Sequence, residues 1–274
     1  MLTGKLLQRS TQKYALIDMK DYNTIQKDIK SNWAKKDEKR RQAVAHHYKM
    51  LINEEEAIKL SIRDSDIHGV NSSFPINKGN PEHIFVNTDT VSAIKQFNTV
   101  DMCALNFASY KHPGGGFLNG SMAQEEALCH ESTLYEVLSD EKFSKYYEWN
   151  KKHLNDSLYL NRAIYSESIK FDDVYCDILT CASPNWGSAM KYNNVSKEEN
   201  SKALRERCQY IAEILNYHAI NTFIAGAFGC GVFGQDPEEV ANIWLSINWG
   251  NVKKVIYAVP GDNDNAKVFR RISE

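Results

Sequence analysis

The chain has 274 residues, of which 42% are hydrophobic and 25% are charged, and its formal net charge is −2. This composition is that of an ordinary globular protein able to bury a core. The small net charge excludes a global field that would recruit nucleic acid or an anionic membrane. No apolar run of about 18 residues is present, so no membrane-spanning helix is expected. The N-terminus lacks a sustained apolar stretch and does not resemble a signal peptide.

The cysteines form no C-x-x-C pair and lie at positions 103, 129, 176, 181, 208 and 230. We therefore expect free thiols and a cytoplasmic location. Cys230 stands in a glycine-rich loop and could be a nucleophile. No histidine is near it in sequence, which favours the simpler interpretation that the loop needs a small residue there.

Residues 1–68 are rich in Lys and Arg, and their apolar residues recur at roughly helical spacing. This pattern predicts an N-terminal α-helical extension packed on the main domain. The extension carries a basic cluster of Lys35, Lys36, Lys39, Arg40 and Arg41. The cluster could contact polymer or nucleic-acid phosphates, but interleaved acidic residues favour a solvated helix face. A loop at 69–81, rich in Asn, Ser, Pro and Gly, marks the boundary with a main domain of residues 69–274.

Strands and helices alternate along the main domain. The pattern predicts strands at 83–87, 101–106, 163–169, 174–182, 221–225 and 254–259. It predicts helices from Asp89 to about 97, from about 123 through 138, at 198–217 and at 237–248. Residues 146–161 give no clear pattern. Alternation of this kind indicates an α/β fold with a mixed sheet covered on both faces, in which ligands bind beyond the carboxyl ends of strands.

A glycine triplet, Gly114, Gly115 and Gly116, follows the strand at 101–106. Three residues without Cβ atoms let backbone N–H groups approach a ligand closely. Such amides, followed by the start of a helix, suit phosphate or ribose oxygens. Asn106, at the end of that strand, either closes the strand or hydrogen-bonds a sugar hydroxyl.

The helix after the triplet begins with Gln124, Glu125 and Glu126. Adjacent carboxylates in a first helical turn often only compensate the helix dipole. A bound anion would repel carboxylates placed beside it, so their presence next to the proposed anion site favours a functional role. Because consecutive helical residues point about 100° apart, one carboxylate can face the site while the other reaches its edge.

A second glycine-rich loop follows the strand at 221–225, with glycines at 226, 229, 231 and 234. The next helix begins with Asp236 as N-cap and Pro237 in its first position. Strand, glycine loop and helix again form the geometry that wraps a diphosphate. Two such loops in one domain, one carrying a glutamate pair, are a stronger signal than either alone.

In these two motifs, the triplet with Gln124-Glu125-Glu126 and the loop at 226–234, the chain resembles the poly(ADP-ribose) glycohydrolases of the short microbial branch. The resemblance extends loosely from about Val86 to the C-terminus. It implies a three-layer α/β/α, macrodomain-like mixed sheet. Two departures, Gln235 before Asp236 and His112 before Pro113, leave the implied chemistry untouched.

The resemblance implies hydrolysis of the ribose–ribose O-glycosidic bond of poly(ADP-ribose), without a metal or other cofactor. Glu126 would protonate the leaving oxygen and then activate water, while Glu125 would hold ribose hydroxyls of the leaving side. The diphosphate between the two loops would help to stabilise the developing positive charge.

The same resemblance implies a set of substrate-binding residues. Phe233 would lie against the distal ribose or adenine or pack the loop onto the core, Phe228 would belong to the core, and Gln124 would orient the carboxylates or the loop. Asp89 would either contact the adenine amino group or cap its helix. The full set is Asn106, Gly114, Gly115, Gly116, Asn119, Gln124, Gly229, Cys230, Gly231, Val232, Phe233 and Asp89.

Two other functions stay open at this point. One is removal of ADP-ribose from a mono-ADP-ribosylated protein or nucleic-acid acceptor. The other is a non-catalytic ADP-ribose-binding module, which would not need the glutamate pair. We expect an ADP-ribose polymer or an ADP-ribosylated macromolecule as the partner, no membrane or direct nucleic-acid binding, and a monomer.

Overall fold

The computed structural model describes residues 47, 49, 51–70 and 72–272. The predicted basic cluster at 35–41, and most of the predicted extension, lie outside the described residues. Within the described residues, no helix is both long enough and apolar enough to cross a membrane. The six cysteines are all free, and every one except the half-buried Cys230 is buried.

The centre of the molecule is a seven-stranded mixed sheet with strand order β1-β4-β5-β3-β6-β7-β2. Strands β5, β3, β6, β7 and β2 run parallel, while β4 pairs antiparallel with both β1 and β5. The strands are β1 (Asp66–His68), β2 (Glu82–Val86), β3 (Met102–Phe107), β4 (Ala163–Phe171), β5 (Val174–Cys181), β6 (Thr222–Ala225) and β7 (Lys254–Ala258).

Helices cover both faces of the sheet. In chain order they are α1 (Glu55–Asp64), α2 (Thr90–Phe97), α3 (Gln124–His130), α4 (Leu134–Leu138), α5 (Glu141–Lys152), α6 (Trp186–Asn193), α7 (Lys197–Tyr217), α8 (Pro237–Ser246) and α9 (Asp264–Arg271). Short 3₁₀ turns lie at Leu51–Asn53, Phe117–Asn119 and Asn155–Ser157.

Side chains of the central strand β3 alternate between two buried cores. Met102 and Ala104 join the core formed with α1 to α5, whereas Cys103 and Leu105 join the core formed with α7, α8 and α9. A strand that is buried on both faces must be apolar throughout, as this one is until Asn106. The expected three-layer α/β/α mixed sheet is confirmed.

The structure corrects several predicted elements. The helix expected from 123 through 138 is two helices, because Ser132 Oγ accepts a hydrogen bond from Leu134 N and donates to Leu128 O. The uninterpreted stretch at 146–161 contains most of α5 and a 3₁₀ turn. Helix α6 lies where a loop was expected, and its N-cap Asn185 accepts a hydrogen bond from Ser188 N. Helix α9 was not predicted.

The described end of the predicted extension packs directly against the sheet. Strand β1 pairs with β4, and Ser61 Oγ on α1 donates to Glu167 O of β4 at 2.5 Å. Lys142 Nζ donates to the carbonyls of Ile62, Arg63 and Ser65, and so caps the C-terminus of α1. The domain boundary that the sequence places between residues 68 and 69 stays a prediction.

Candidate active site

The side chain of Gln124 fixes the start of α3 to the carboxyl end of β3. Its Oε1 accepts from Phe107 N at 2.8 Å, and its Nε2 donates to Leu105 O at 2.8 Å. A third hydrogen bond joins Nε2 to Thr90 Oγ1 at 3.1 Å. The amide therefore continues the hydrogen bonding of β3 and sets the direction in which the next two side chains point.

Glu125 is buried beside the end of β3. Its Oε2 accepts from Ser109 N at 2.6 Å, and its Oε1 accepts from Asn106 Nδ2 at 3.2 Å. Burial raises the pKa of the Glu125 carboxyl to about 8. The charge of Glu126 adds to this rise in pKa, and the hydrogen bonds from Ser109 and Asn106 oppose it. The carboxyl of Glu125 is consequently mostly protonated at neutral pH.

Glu126 contacts the glycine triplet directly. Its Oε1 accepts from Gly116 N at 2.7 Å. Its Oε2 makes no hydrogen bond within the described residues and is not sealed from solvent. Glu126 therefore keeps one carboxyl oxygen available to a ligand.

The sequence predicted that the N–H groups of the glycine triplet face a ligand, but two of them donate to protein atoms. Gly115 N donates to His112 O at 3.1 Å, and Gly116 N donates to Glu126. These N–H groups are engaged by protein atoms, because the loop folds back onto the carboxylates instead of presenting a row of free amides. The first glycine loop thus holds the glutamate pair in place.

Phe117 anchors that loop to the core. It is fully buried, and its ring lies 4.6 Å from the ring of Tyr135, 4.8 Å from His130 and 4.9 Å from His47. His47 in turn contacts Glu136 Oε1 through Nε2 at 3.0 Å. A buried cluster behind the loop consequently restricts its movement.

The second glycine loop has the free amides that the first lacks. Gly229, Gly231, Val232 and Phe233 donate no backbone hydrogen bond within the described residues. Gly229 has φ +79°, and a Cβ atom on it would lie 2.3 Å from Ser183 Oγ. A Cβ atom on Gly231 would meet no atom within 4 Å, so the backbone there borders open space. Such a run of free N–H groups is suited to an anion.

A cavity of about 180 Å³ lies between the two motifs. From the predicted set, Gln124 lies on one wall and Gly229, Gly231, Val232 and Phe233 on the other. The remaining lining residues are Phe107, Ala123, Ser183, Ala227 and Phe228. The structure therefore brings together the two stretches that are more than 100 residues apart in sequence.

Asn106 is fully buried beside the glutamate pair. Its Nδ2 also donates to Thr180 Oγ1, and its Oδ1 has no hydrogen-bond partner within the described residues. Asn119 is exposed at the end of the 3₁₀ turn after the triplet. Phe228 is fully buried in the core, as predicted, and also lines the cavity.

Asp89 caps α2 by accepting hydrogen bonds from Ser92 N and Ser92 Oγ. It lies next to Thr90, the partner of Gln124, and hence near the same edge of the sheet.

The residue Cys230 as a whole is half-buried, but its thiol is buried deeply enough to raise the pKa of the thiol to about 12. A thiol with so high a pKa is a poor nucleophile, in line with the structural interpretation of this residue.

Sequence reasoning did not assign Ser109, Ser183 or Phe107 to the site. Ser183 follows the carboxyl end of β5, so the rule that places ligands beyond strand ends could have found it. The contact of Ser109 N with Glu125 depends on the path of the loop and leaves no pattern in the sequence.

The fold and the site together define a macrodomain-like α/β domain in which a glutamate pair is held by one glycine loop and a second loop offers free amides. Residues 10–171, more than half of the chain, match the family model described as the microbial-type PARG catalytic domain, PARG being poly(ADP-ribose) glycohydrolase. The chain belongs to this family. The matched region contains the first glycine loop and the glutamate pair, and the second loop lies beyond it.

Solved bacterial structures share the fold. Poly(ADP-ribose) glycohydrolase from Thermomonospora curvata is 26% identical, with a TM-score of 0.69 over 79% of this chain and 88% of that one. The same protein bound to the inhibitor ADP-HPD gives a TM-score of 0.67 at 26% identity, over 80% of this chain and 87% of that one. The Deinococcus radiodurans enzyme in complex with ADP-ribose is 26% identical, with a TM-score of 0.68 over 79% of this chain and 97% of that one. No curated protein sequence matches the chain.

Proposed function

We propose that this chain hydrolyses the ribose–ribose O-glycosidic bond of poly(ADP-ribose) and releases ADP-ribose. The observation that carries the proposal is a cavity lined on one side by Gln124, the residue immediately before the held glutamate pair, and on the other by a loop with free backbone amides. Family membership supports the reaction class, and the relative solved with ADP-ribose supports the ligand.

The diphosphate of the substrate fits the second glycine loop. Four N–H groups between Gly229 and Phe233 have no hydrogen-bond partner in the described part of the chain, so they can donate to phosphate oxygens without any side chain. A ligand bound there and extending across the cavity reaches Gln124, the residue immediately before the glutamate pair. The sugar carbon that reacts would then lie beside Glu126.

Glu126 has the geometry needed for the acid that protonates the leaving oxygen and then activates water. One of its oxygens is fixed by Gly116 N, which sets the direction of the carboxyl group. Its other oxygen has no hydrogen-bond partner among the described residues and can meet the leaving oxygen. Cleavage through an oxocarbenium-like transition state needs both proton transfer and a positioned water.

Glu125 suits a role in positioning ribose hydroxyls. Because its carboxyl is mostly protonated near neutrality, it can donate as well as accept a hydrogen bond. Its position is fixed by Ser109 and Asn106, so a hydroxyl bound to it would be held rigidly.

The proposal is tested by replacing Glu126 with Gln. We expect kcat for polymer hydrolysis to fall by about 10² to 10⁴, the range typical of general acid–base catalysis, while the Kd for ADP-ribose changes little. Release of ADP-ribose from polymer and binding by calorimetry measure the two quantities. Both assays are run with a chelator to test whether turnover needs a metal.

Glu131→Gln is the matched control, because Glu131 follows the same helix, is exposed and, among the residues that the structure describes, forms an ion pair only with Lys95. It should leave both quantities unchanged. Unaltered turnover in the Glu126→Gln variant would remove Glu126 from the mechanism. A wild-type protein that binds ADP-ribose but releases none from polymer, or from mono-ADP-ribosylated acceptors, would point to a binding module.

A further inference from the structure

A basic surface borders the glutamate pair on the side of Glu125. Ser109 N donates to Glu125, and Ser109 Oγ accepts from the backbone of Lys111 and His112. His112 O in turn accepts from Gly115 N. The turn that carries these two basic side chains is therefore bonded both to the carboxylate and to the glycine loop.

The C-terminal end of α5 brings further basic residues to the same place. Asn150 Nδ2 donates to Tyr110 O at 2.8 Å, and Tyr110 Oη donates to His153 O at 3.2 Å. Lys151 and Lys152 lie between these two anchors and are exposed. We call Lys111, His112, Lys151 and Lys152 the basic rim.

The rim is close enough for its members to repel one another. Lys151 and Lys111 both lower the pKa of His112, after the larger effect of burial. None of the three lysines forms an ion pair within the described residues, and neither do the nearby acidic residues Glu148 and Asp156. Like charges on one surface repel one another, and an anion bound among them would relieve that repulsion.

We propose that the basic rim binds the diphosphate of the ADP-ribose unit on the leaving side of the scissile bond, and so makes the chain bind polymer more tightly than it binds free ADP-ribose. This inference rests on the proposed function. The resemblance assigns Glu125 to the leaving-side ribose, and the rim begins at Lys111 and His112, whose N–H groups donate to Ser109, the residue that donates to Glu125. The next diphosphate of a polymer carries negative charge a few bonds beyond that ribose, where exposed lysines can reach it.

The rim differs from the second glycine loop in the kind of recognition that it provides. Loop amides are fixed donors that shape the site for one diphosphate. Exposed lysines offer mobile point charges that tolerate variation in the path of the polymer. Salt should consequently weaken binding at the rim much more than binding at the loop.

The test uses Glu126→Gln as a background, so that binding is measured without turnover. In this background, Lys111→Glu with Lys151→Glu should weaken binding of a fluorescent ADP-ribose polymer by about tenfold at low salt. The difference should shrink towards zero in about 1 M salt. The Kd for free ADP-ribose should change by less than about twofold, because the rim lies outside its site.

Lys253→Glu with Lys254→Glu is the matched control, since these exposed lysines stand at the opposite, amino-terminal end of β7. It should leave polymer binding unchanged. Thermal unfolding of each variant and of each single substitution identifies any loss of folding.

Equal loss of polymer binding in the rim and control variants, or no loss in the rim variant, would overturn the proposal. A single-stranded DNA oligonucleotide of matched charge is measured alongside. If it binds the rim as tightly as polymer does, the rim is a nucleic-acid surface and the proposal fails. Lack of polymer hydrolysis by the wild type, with rim-dependent polymer binding intact, would overturn the proposed function alone.

Discussion

Gly115 determines how closely the first glycine loop approaches the two carboxylates. Its φ is +58°, in the left-handed region that strains residues with a Cβ atom. A Cβ atom there would lie 2.6 Å from Glu126 Oε1 and 2.8 Å from Glu125 Oε2. Only glycine leaves room for both carboxylates to turn towards the loop.

We therefore predict that Gly115→Ala lowers kcat/KM for polymer by at least about 100-fold, because small displacements of catalytic groups have effects of that size. The left-handed backbone adds a loss of about 1 to 2 kcal/mol in the free energy of unfolding. Steady-state kinetics and urea denaturation measure the two effects. Gly69→Ala is the control, since a Cβ atom on Gly69 meets nothing within 4 Å. Wild-type turnover by Gly115→Ala would show that the carboxylate positions do not depend on this contact.

The sequence predicted the local patterns that meet at one edge of the sheet, but not how they are hydrogen-bonded. A glycine triplet, a glutamate pair and a second glycine loop are local patterns, and the structure brings them to one edge of the sheet. The engagement of Gly116 N by Glu126 is a contact across a loop, which spacing alone does not specify. Likewise, the sequence does not show that the N–H groups of Gly229, Gly231, Val232 and Phe233 lack partners among the described residues, because this depends on the hydrogen bonding of the whole loop.

At the scale of elements, long apolar strands were the most predictable and short polar helices the least. Strands β3 to β7 are largely buried segments whose composition marks them clearly, whereas β2 is mostly half-buried. Helix α9, with sequence DNAKVFRR, buries only Ala266, Val268 and Phe269 against the sheet, which is too few positions for a helical period to stand out. Its formation depends on packing against the core, which local sequence does not encode.

Two elements far apart in sequence meet through a pair of histidines. His68 of β1 and His218, the C-cap of α7, have their Nε2 atoms 3.0 Å apart, so one ring donates and the other accepts. The ring of His218 also stacks on Tyr165 of β4 at 3.5 Å. Burial lowers the pKa of His68, and it lowers the pKa of His218 to about 4, while the charge of Asp66 opposes both shifts.

Acid should therefore weaken this junction. In the unfolded chain both histidines take up protons near pH 6.5. In the folded chain the pKa of His218 is about 4 and that of His68 is lowered, so both take up protons only at lower pH. The free energy of unfolding should thus decrease as the pH falls through this window, by on the order of 1 kcal/mol once solvent screening of the half-buried His218 is allowed for. Urea denaturation at several pH values measures the slope.

His218→Gln should flatten this pH dependence, although it lowers stability at neutral pH through loss of the stacking on Tyr165. His153→Gln, at an exposed position, serves as the matched control and should leave the slope unchanged. A slope that is identical in all three proteins would assign the acid sensitivity to other groups.

For the whole molecule, the question is whether the predicted boundary between residues 68 and 69 separates two units that can exist apart. Leu51 and Ile58 are buried in the core that also receives α3 and α4. Strand β1 covers the edge of β4, and Glu167 N donates to Ser65 Oγ. The extension is distinct in sequence, but its last 18 residues are part of the packing of the domain.

We predict that a chain shortened to residues 69–274 loses on the order of 5 kcal/mol in the free energy of unfolding, because it gives up the buried surface of Leu51, Ile58 and their neighbours. The uncovered edge of β4 should also promote association between copies. Urea denaturation and size-exclusion chromatography measure these effects. Ile58→Ala in the full chain provides a graded comparison, with an expected loss of about 2 to 3 kcal/mol. If the shortened chain unfolds at the same urea concentration as the full chain and stays dispersed, residues 51–68 contribute nothing to the domain that follows them.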